Sequence, residues 1–166
     1  MSAPFEEIYE TYKKAIYTYL LRNTYDSHIA EELTHDTFMK AFKQIHSFRH
    51  ESSLKTWLFT IARNTYLSYQ NKSSTKFEHS EEKHELWEGG KSEFEAMVER
   101  DGILFVLSAL NEKERTYILL RDQQEMTYQE MSEVLGEKVG SVKVGLFRAR
   151  KKFKDTYTKE YGGIRN

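Results

Sequence analysis

Apolar residues recur at intervals of three and four along most of the chain, which is the spacing of one face of an amphipathic helix. Three such stripes occupy the first half, from Phe5 to Leu20, from Ala30 to Ile45 and from Leu54 to Tyr69. The pairs Asp26-Ser27 and Ser52-Ser53 are candidate N-caps, because short polar side chains accept hydrogen bonds from the free amides of a helix start. The polar segment 47–53 predicts a loop between the second and third helices.

The periodic pattern ends after residue 72 and resumes at Phe94. The intervening segment, 73–93, is polar and acidic. Such a composition buries too little apolar surface to offset chain entropy, so it predicts a flexible acidic linker. We therefore expect an all-α protein of two small helical domains, at 1–72 and 94–166, joined by that linker.

The second domain carries strong local signals for helix starts and stops. Two capping-box patterns mark helix starts, Asn111 with Glu114 and Thr127 with Glu130. The helix after Thr127 is expected to end at Gly136, because glycine readily adopts the left-handed conformation that closes a helix. A longer helix then opens near Gly140 and Ser141 and continues through Phe153. This order predicts a helix-turn-helix with an interior of Met131, Leu135, Val139, Val142 and Leu146.

Composition removes several functional classes. The chain has 166 residues and no cysteine, which excludes disulfides, thiolate metal sites and a cysteine nucleophile. No apolar run approaches the roughly 20 residues of a membrane span, and residues 1–7 lack the basic and apolar regions of a signal peptide. We therefore expect a cytoplasmic protein that does not insert directly into a membrane.

The net charge of −1 conceals a strong asymmetry along the chain. Residues 77–137 carry 6 bases and 16 acids, residues 138–166 carry 9 bases and 2 acids, and no acid occurs from Lys138 to Lys154. A basic helix neutralises DNA phosphates, and in a helix-turn-helix its first turns face base edges. A basic helix end can also simply complement the helix dipole. The preceding turn pattern favours DNA binding, with these candidates: Ser141, Lys143, Val144, Phe147, Arg148, Arg150 and Lys151.

A second basic segment, 49–76, carries 5 bases and 1 acid. Its cations alternate with aromatic residues, the cations being Arg49, Lys55, Arg63 and Lys72 and the aromatics Phe48, Trp57, Tyr66 and Tyr69. Unpaired bases stack on aromatic rings that have cations beside them, so the segment is suited to melted DNA. The spacing of Trp57, Ile61 and Tyr69 fits the buried side of a helix equally well.

Candidate catalytic and metal chemistry is sparse. His46 and His50 stand four residues apart, but the predicted helix ends between them and no carboxylate has a matching spacing. The phosphate-binding loop, nucleophile-elbow and zinc-protease motifs do not occur in the sequence. We expect no enzymatic activity, no metal site and no cofactor.

Three motifs, in this order along the chain, resemble those of bacterial RNA polymerase sigma factors of the extracytoplasmic-function (ECF) subgroup. Ala30 to Phe38 resembles the family's core-binding helix, Phe48 to Asn64 its promoter-melting segment, and Gly140 to Arg150 its recognition helix. The resemblance covers nearly the whole chain apart from the predicted linker. It implies sigma region 2 at 1–72, sigma region 4 at 94–166 and promoter-specific transcription initiation.

The resemblance also implies a role for each motif. The core-binding helix would dock on the clamp helices of the largest subunit of core RNA polymerase through Glu31, Glu32, Leu33, His35, Asp36 and Phe38. The melting segment would bind the minus-ten element of promoter DNA through Phe48, Arg49, Ser52, Ser53, Lys55, Trp57, Arg63, Asn64, Ser68 and Lys72. The recognition helix would read the minus-thirty-five element as duplex, and its domain would contact the polymerase flap. An anti-sigma factor, often membrane-anchored, is a further implied partner.

This chain departs from the family pattern at several positions, and two alternative functions stay open. Glu32 and His35 replace the usual Asp and Gln of the core-binding helix, and Gly145 weakens the recognition helix by about 1 kcal/mol relative to Ala. We expect these differences to affect promoter preference. The first alternative is a stand-alone helix-turn-helix transcriptional regulator that uses only the basic C-terminal helix. The second is a helical enzyme or metal protein based on the histidines.

Overall fold

All secondary structure in the described part of the chain, residues 2–77 and 102–162 of a computed structural model, is helical. This confirms the predicted all-α class. The chain divides into two compact units, Met1–Lys91 and Ser92–Asn166. The apolar positions 94, 97 and 98 and most of the predicted linker lie outside the described residues.

Residues 2–77 of the first unit form three long helices, α1 (Ser2–Thr24), α2 (Ser27–Gln44) and α3 (Leu54–Phe77), with a 3-10 turn at Ile45–Ser47 after α2. Asp26 is the N-cap of α2, and its side chain accepts hydrogen bonds from the amides of His28 at 2.9 Å and Ile29 at 3.1 Å. The predicted N-terminal cap of the second helix is thereby confirmed at Asp26.

Ser53 begins α3, because its hydroxyl oxygen accepts a hydrogen bond from the Thr56 amide at 3.1 Å and its carbonyl accepts one from the Trp57 amide at 3.0 Å. The helix continues to Phe77. The predicted linker start at residue 73 is therefore wrong for the backbone of 73–77. Extending an existing helix adds one hydrogen bond for each residue fixed, so a polar sequence can prolong a helix that packing has already nucleated.

The core of the first unit forms where the three apolar stripes meet. Tyr19 of α1 and Phe59 of α3 are fully buried, and their rings meet edge to face with centroids 5.6 Å apart. The predicted apolar side of α2 is only partly internal. Phe42, which was predicted to belong to it, is 50% exposed and touches the Phe5 ring at a centroid distance of 5.1 Å.

The second unit contains α4 (Gly102–Ser108), α5 (Glu112–Ile118), a π-helical segment (Leu119–Gln123), α6 (Tyr128–Leu135) and α7 (Val139–Tyr161). Both predicted capping boxes are present, at the starts of α5 and α6. Gly136 ends α6 with φ 66° and ψ 33°, the left-handed conformation predicted for it. The predicted helix-turn-helix is therefore confirmed as α6, the glycine turn and α7.

The π-helical segment after α5 was not predicted from the sequence. The Gln124 amide donates to the Leu119 carbonyl at 3.0 Å, five residues back, and the Met126 amide donates to the Leu120 carbonyl at 3.0 Å. Leu119 and Leu120 are buried, so packing retains the widened turn. The turn places the polar residues Arg121 and Asp122 beside α7, where Asp122 contacts Arg150.

Gly145 lies on the inner side of α7, against the ring of Tyr117 from α5. A Cβ atom at position 145 would stand 2.3 Å from Cζ of Tyr117. The Tyr117 hydroxyl donates a hydrogen bond to Oε1 of Glu137 at 2.7 Å, which fixes the ring in place. The glycine therefore serves the packing of α7, and the expectation that it affects promoter preference has no support in its position.

Candidate nucleic-acid interface

The rotational setting of α7 decides which of its side chains are available to a partner. Val142, Leu146 and Ala149 are buried against the rest of the second unit. All seven predicted minus-thirty-five residues are exposed on the remaining sides of the helix: Ser141, Lys143, Val144, Phe147, Arg148, Arg150 and Lys151. These residues therefore remain available for the predicted contact with the major groove of duplex DNA.

Acidic groups from other helices neutralise part of this basic surface. Asp122 accepts two hydrogen bonds from Arg150, one from Nε at 3.1 Å and a shorter one from Nη2. Lys152 Nζ lies 3.0 Å from Oε1 of Glu114. The hydrogen bond to Asp122 raises the pKa of the Arg150 guanidinium above its ordinary value. The absence of acids from 138 to 154 in sequence thus overstates the free positive charge of α7.

Tyr128, at the start of α6, carries two cations near its ring. The Arg121 guanidinium carbon lies 4.4 Å from the ring centroid and Lys143 Nζ lies 5.4 Å from it. Cations at these distances are attracted by the ring quadrupole. Arg121 and Tyr128 could not be predicted from the sequence, because this cluster depends on the π-helical segment and on the crossing of α6 and α7.

In the first unit the loop between α2 and α3 is organised by stacked rings. Phe48 stacks on Trp57 with centroids 5.1 Å apart and planes 26° apart, and His50 approaches the Phe48 ring at 4.4 Å. His50 has φ 58°, a left-handed backbone conformation that is uncommon outside glycine. Trp57 is only partly buried. Part of its side chain therefore reaches the surface, whereas the competing interpretation of its spacing placed it in the helix core.

The ten predicted minus-ten residues are exposed to different degrees. Exposed positions are Arg49, Ser53, Asn64, Ser68 and Lys72, and partly buried ones are Phe48, Ser52, Lys55, Trp57 and Arg63. The Ser53 hydroxyl also donates to Oγ1 of Thr56 at 2.8 Å, so it is engaged at the helix start. The loop and the first turns of α3 thus form one surface of aromatic and cationic groups.

The predicted polymerase-binding residues of α2 divide into two groups. Glu31, Glu32, His35 and Asp36 are exposed. Leu33 and Phe38 are only 5% and 3% exposed, respectively. Their side chains pack in the core between the helices, so they offer little surface for the direct docking that was predicted for them. They hold α2 so that its carboxylates and imidazole face outward.

A cleft of about 300 Å³ lies between α2 and α3. It is lined by residues from both the predicted polymerase-binding surface and the predicted minus-ten surface of this unit. Glu32 and Asp36 line one side, and Ser68 and Lys72 line the other. Burial, the largest effect, raises the pKa of the neighbouring Tyr69 hydroxyl. The polymerase-facing and DNA-facing residues predicted for this unit are therefore adjacent.

Within residues 2–77 and 102–162, no three His, Asp or Glu side chains are grouped so that they could hold a metal ion. No helix in the same ranges has the length and apolar character needed to cross a membrane.

Comparison with known proteins gives a consistent result for the two units. The model of Sigma-70 region 2 matches residues 8–75 and that of Sigma-70, region 4, matches residues 100–153. Among curated proteins, the RNA polymerase sigma factor YlaC of Bacillus subtilis (strain 168) is 32% identical over 160 residues, 93% of this chain and 92% of the relative. The ECF RNA polymerase sigma factor SigM of the same organism is 33% identical over 156 residues, 93% of this chain and 95% of the relative.

Two solved structures share the fold. The sigma factor RpoE, solved in complex with the anti-sigma factor NepR from Bartonella quintana, aligns with a TM-score of 0.73 at 23% identity and covers 92% of this chain and 95% of its own. CnrH, solved in complex with the cytosolic domain of CnrY, aligns with a TM-score of 0.73 at 20% identity and covers 96% of this chain and 90% of its own. At these identities the likeness concerns the fold alone.

Proposed function

The chain belongs to the sigma-70 family as an ECF sigma factor, and from that premise we propose how its residues recognise polymerase and promoter. A member of this family is a non-enzymatic factor for promoter-directed transcription initiation. Such a factor acts where polymerase and chromosome are, so the proposed location is the cytoplasm. The observation that carries the proposal is the exposure of all seven predicted DNA-facing residues on α7, opposite a filled inner side.

The second unit reads the minus-thirty-five element as duplex. The first turns of α7 enter the major groove, where Ser141, Lys143 and Arg148 reach base edges and phosphates. Lys151 extends the positive surface along the backbone. Arg150 contributes less than its charge suggests, because Asp122 already occupies two of its hydrogen-bond donors. The implied contact of this unit with the polymerase flap stays a prediction without assigned residues.

The first unit binds the melted minus-ten element. Flipping a base out of the duplex costs a few kcal/mol of lost stacking, so a site that is already formed lowers the barrier to opening. The stack of Phe48 on Trp57 supports such a preformed site, because it holds the loop in one conformation beside the exposed side chains of Arg49 and Asn64.

The exposed side of α2 docks on the clamp helices of the largest polymerase subunit through Glu31, Glu32, His35 and Asp36. We also infer an anti-sigma partner, since the solved Bartonella relative is bound to one. Whether that partner is membrane-anchored stays a prediction. Exposed Met39 and Phe42 at the C-terminal half of α2 offer apolar surface beside the docking carboxylates, so an inhibitor placed there would also block polymerase.

Run-off transcription with core polymerase on a promoter library tests the proposal. We expect the full chain to direct initiation from a defined set of promoters. Trp57→Ala should impair open-complex formation more than holoenzyme assembly, because the ring faces DNA and not polymerase. Arg148→Ala should weaken minus-thirty-five recognition with core binding intact, whereas Lys159→Ala in the last turn of the same helix should change neither.

Two results would contradict the proposed function. The first is failure of the folded chain to bind core polymerase at all. The second is tight, sequence-specific duplex binding by the full chain without polymerase, which is the behaviour of the stand-alone regulator. Equal loss of core binding and promoter recognition in Arg148→Ala would contradict the residue assignment alone.

A further inference from the structure

The cleft between α2 and α3 combines charges of both signs with an apolar floor. Glu32, Asp36 and Lys40 follow one another at intervals of four residues along α2, so their side chains lie on one side of that helix. Lys72 lines the opposite wall, on α3. Leu33 also lines the cleft and is only 5% exposed, so it forms the floor.

A lysine side chain closes one end of this cleft. Lys40 Nζ donates a hydrogen bond to Oγ1 of Thr65 at 3.2 Å, and this bond joins α2 to α3. Lys72 comes about two helical turns after Thr65, which is about 10 Å further along α3. The ammonium group of Lys72 is therefore not needed to close that end, and it is exposed.

The two carboxylates lie on α2 between these positions. Asp36 and Glu32 come about 6 Å and 12 Å before Lys40 along the helix axis. Like charges four residues apart on a helix repel each other. Among the described residues, neither carboxylate takes part in an ion pair. A cationic group bound between them would therefore relieve their repulsion.

The charges of the cleft select the class of ligand. A simple cation is repelled by Lys72, and a simple anion is repelled by the two carboxylates. A molecule with an ammonium group beside a carboxylate meets both walls, and α-amino acids carry these two groups on one carbon. The volume, about 300 Å³, lies at the lower limit of small-molecule sites. Leu33 and the half-buried Tyr69 supply apolar surface for a side chain.

We propose that this cleft binds a free α-amino acid with an apolar side chain. The ligand ammonium lies between Glu32 and Asp36, and the ligand carboxylate meets Lys72 and the Ser68 hydroxyl on the opposite wall. Because Glu32 and Asp36 are also proposed to dock on the clamp helices, the bound amino acid competes with core polymerase. The binding site is independent of the proposed function, whereas the competition rests on it.

Nuclear magnetic resonance titration of the isotope-labelled full chain tests the site. L-leucine is the probe, N-acetyl-L-leucine lacks the ammonium charge and L-leucinamide lacks the carboxylate, all at one pH and one ionic strength. L-leucine should shift amide signals of α2 and α3 saturably, with a Kd of about 1 mM for a ligand of this size. Each analogue should bind about tenfold more weakly, because it loses one charged contact.

Matched variants connect the binding to the proposed contacts. Glu32→Gln and Lys72→Gln should each weaken L-leucine binding by about tenfold. Glu31→Gln and Lys43→Gln make the same charge changes at exposed positions of α2 that do not line the cleft, and should leave the affinity for L-leucine unaltered. All four side chains are exposed, so the helical circular dichroism spectrum should be that of the wild type.

Two results would overturn the site. One is the absence of saturable shifts with L-leucine up to about 20 mM, well above the affinity expected for its size. The other is equal binding of L-leucine and both analogues, which would identify an apolar surface without charge recognition.

A second measurement separates the competition from the function on which it rests. With L-leucine at about ten times its measured Kd, the affinity of the chain for core polymerase should fall about elevenfold. Unchanged affinity with the ligand bound would overturn the competition and leave the site in place. Failure to bind core polymerase without any ligand would instead contradict the proposed function, and the titration of the chain alone would still decide the site.

Discussion

Replacing Gly145 with alanine should destabilise the second unit, although alanine is the better helix former. The added Cβ would lie 2.3 Å from Cζ of Tyr117 and 2.5 Å from its Cε2 and Oη atoms. Carbon atoms in good contact stand about 3.5–4.0 Å apart. The ring must therefore move by more than about 1 Å, and Tyr117 is buried with its hydroxyl bonded to Glu137 at 2.7 Å.

The expected change in the free energy of unfolding combines two destabilising contributions and one stabilising contribution. Overpacking a filled interior costs about 1–3 kcal/mol. Losing a hydrogen bond to a carboxylate costs about 1.5–3 kcal/mol when the ring swings away. Alanine returns about 1 kcal/mol of helix propensity. Ring displacement relieves part of the overpacking, so we expect a net loss of about 2 kcal/mol in the free energy of unfolding of this unit.

Hydrogen exchange of the full chain measures the effect within the unit concerned. Amides of 112–161 that exchange through unfolding of the unit should exchange about 30-fold faster in Gly145→Ala. Gly140→Ala is the matched control, because no atom lies within 4 Å of a Cβ at that position. It should leave protection unchanged or raise it.

A second background isolates the cause. In a Tyr117→Leu variant the ring is absent, so Gly145→Ala should become stabilising by up to about 1 kcal/mol. If Gly145→Ala in the wild-type background were as stable as the wild type or more stable, the predicted clash would be wrong. The Tyr117 ring would then be able to move aside at no cost in the free energy of unfolding.

Two other predictions concern charge and capping. Asp122→Asn should release the Arg150 guanidinium, so the holoenzyme should bind promoter duplex more tightly and the slope of log affinity against log salt concentration should steepen by about 1. The same charge change at exposed Glu133, Glu133→Gln, should leave that slope unaltered. An unchanged slope in Asp122→Asn would show that Arg150 adds no phosphate contact. Asp26→Ala should lower the free energy of unfolding of the first unit by about 1 kcal/mol, as measured by thermal unfolding. Asp26→Asn keeps an oxygen that accepts the same hydrogen bonds and should leave the stability unchanged. Equal losses in the two variants would contradict the capping role.

Helix boundaries were predictable here because their signals are local. An N-cap side chain such as Thr127 or Asp26 bonds to amides two or three residues away, and Gly136 closes its helix within one turn. A short window of sequence therefore contains both partners of each interaction. The outward side of α7 was predictable for the same reason, because its buried residues recur at intervals of three and four.

Contacts between helices were not predictable in the same way. The pairing of Asp122 with Arg150 and the approach of Tyr117 to Gly145 join residues 28 apart in both cases, and each depends on the crossing of helices. The π-helical segment also has no simple signal in its sequence, Leu119–Gln123. A motif resemblance likewise cannot separate surface from core, which is why Leu33 and Phe38 were assigned to docking although they are buried.

The stack of Phe48 on Trp57 gives this protein an optical reporter of its own. The chain has 2 tryptophans, so replacing Trp87 with Phe leaves Trp57 as its one indole, in the first turn of α3 beside the loop that is proposed to receive melted DNA. Indole emission depends on what lies against the ring, so a nucleobase that binds beside the stack would change it. Stopped-flow fluorescence of the chain without core polymerase, which would add tryptophans of its own, could then follow the binding of single-stranded minus-ten DNA in real time.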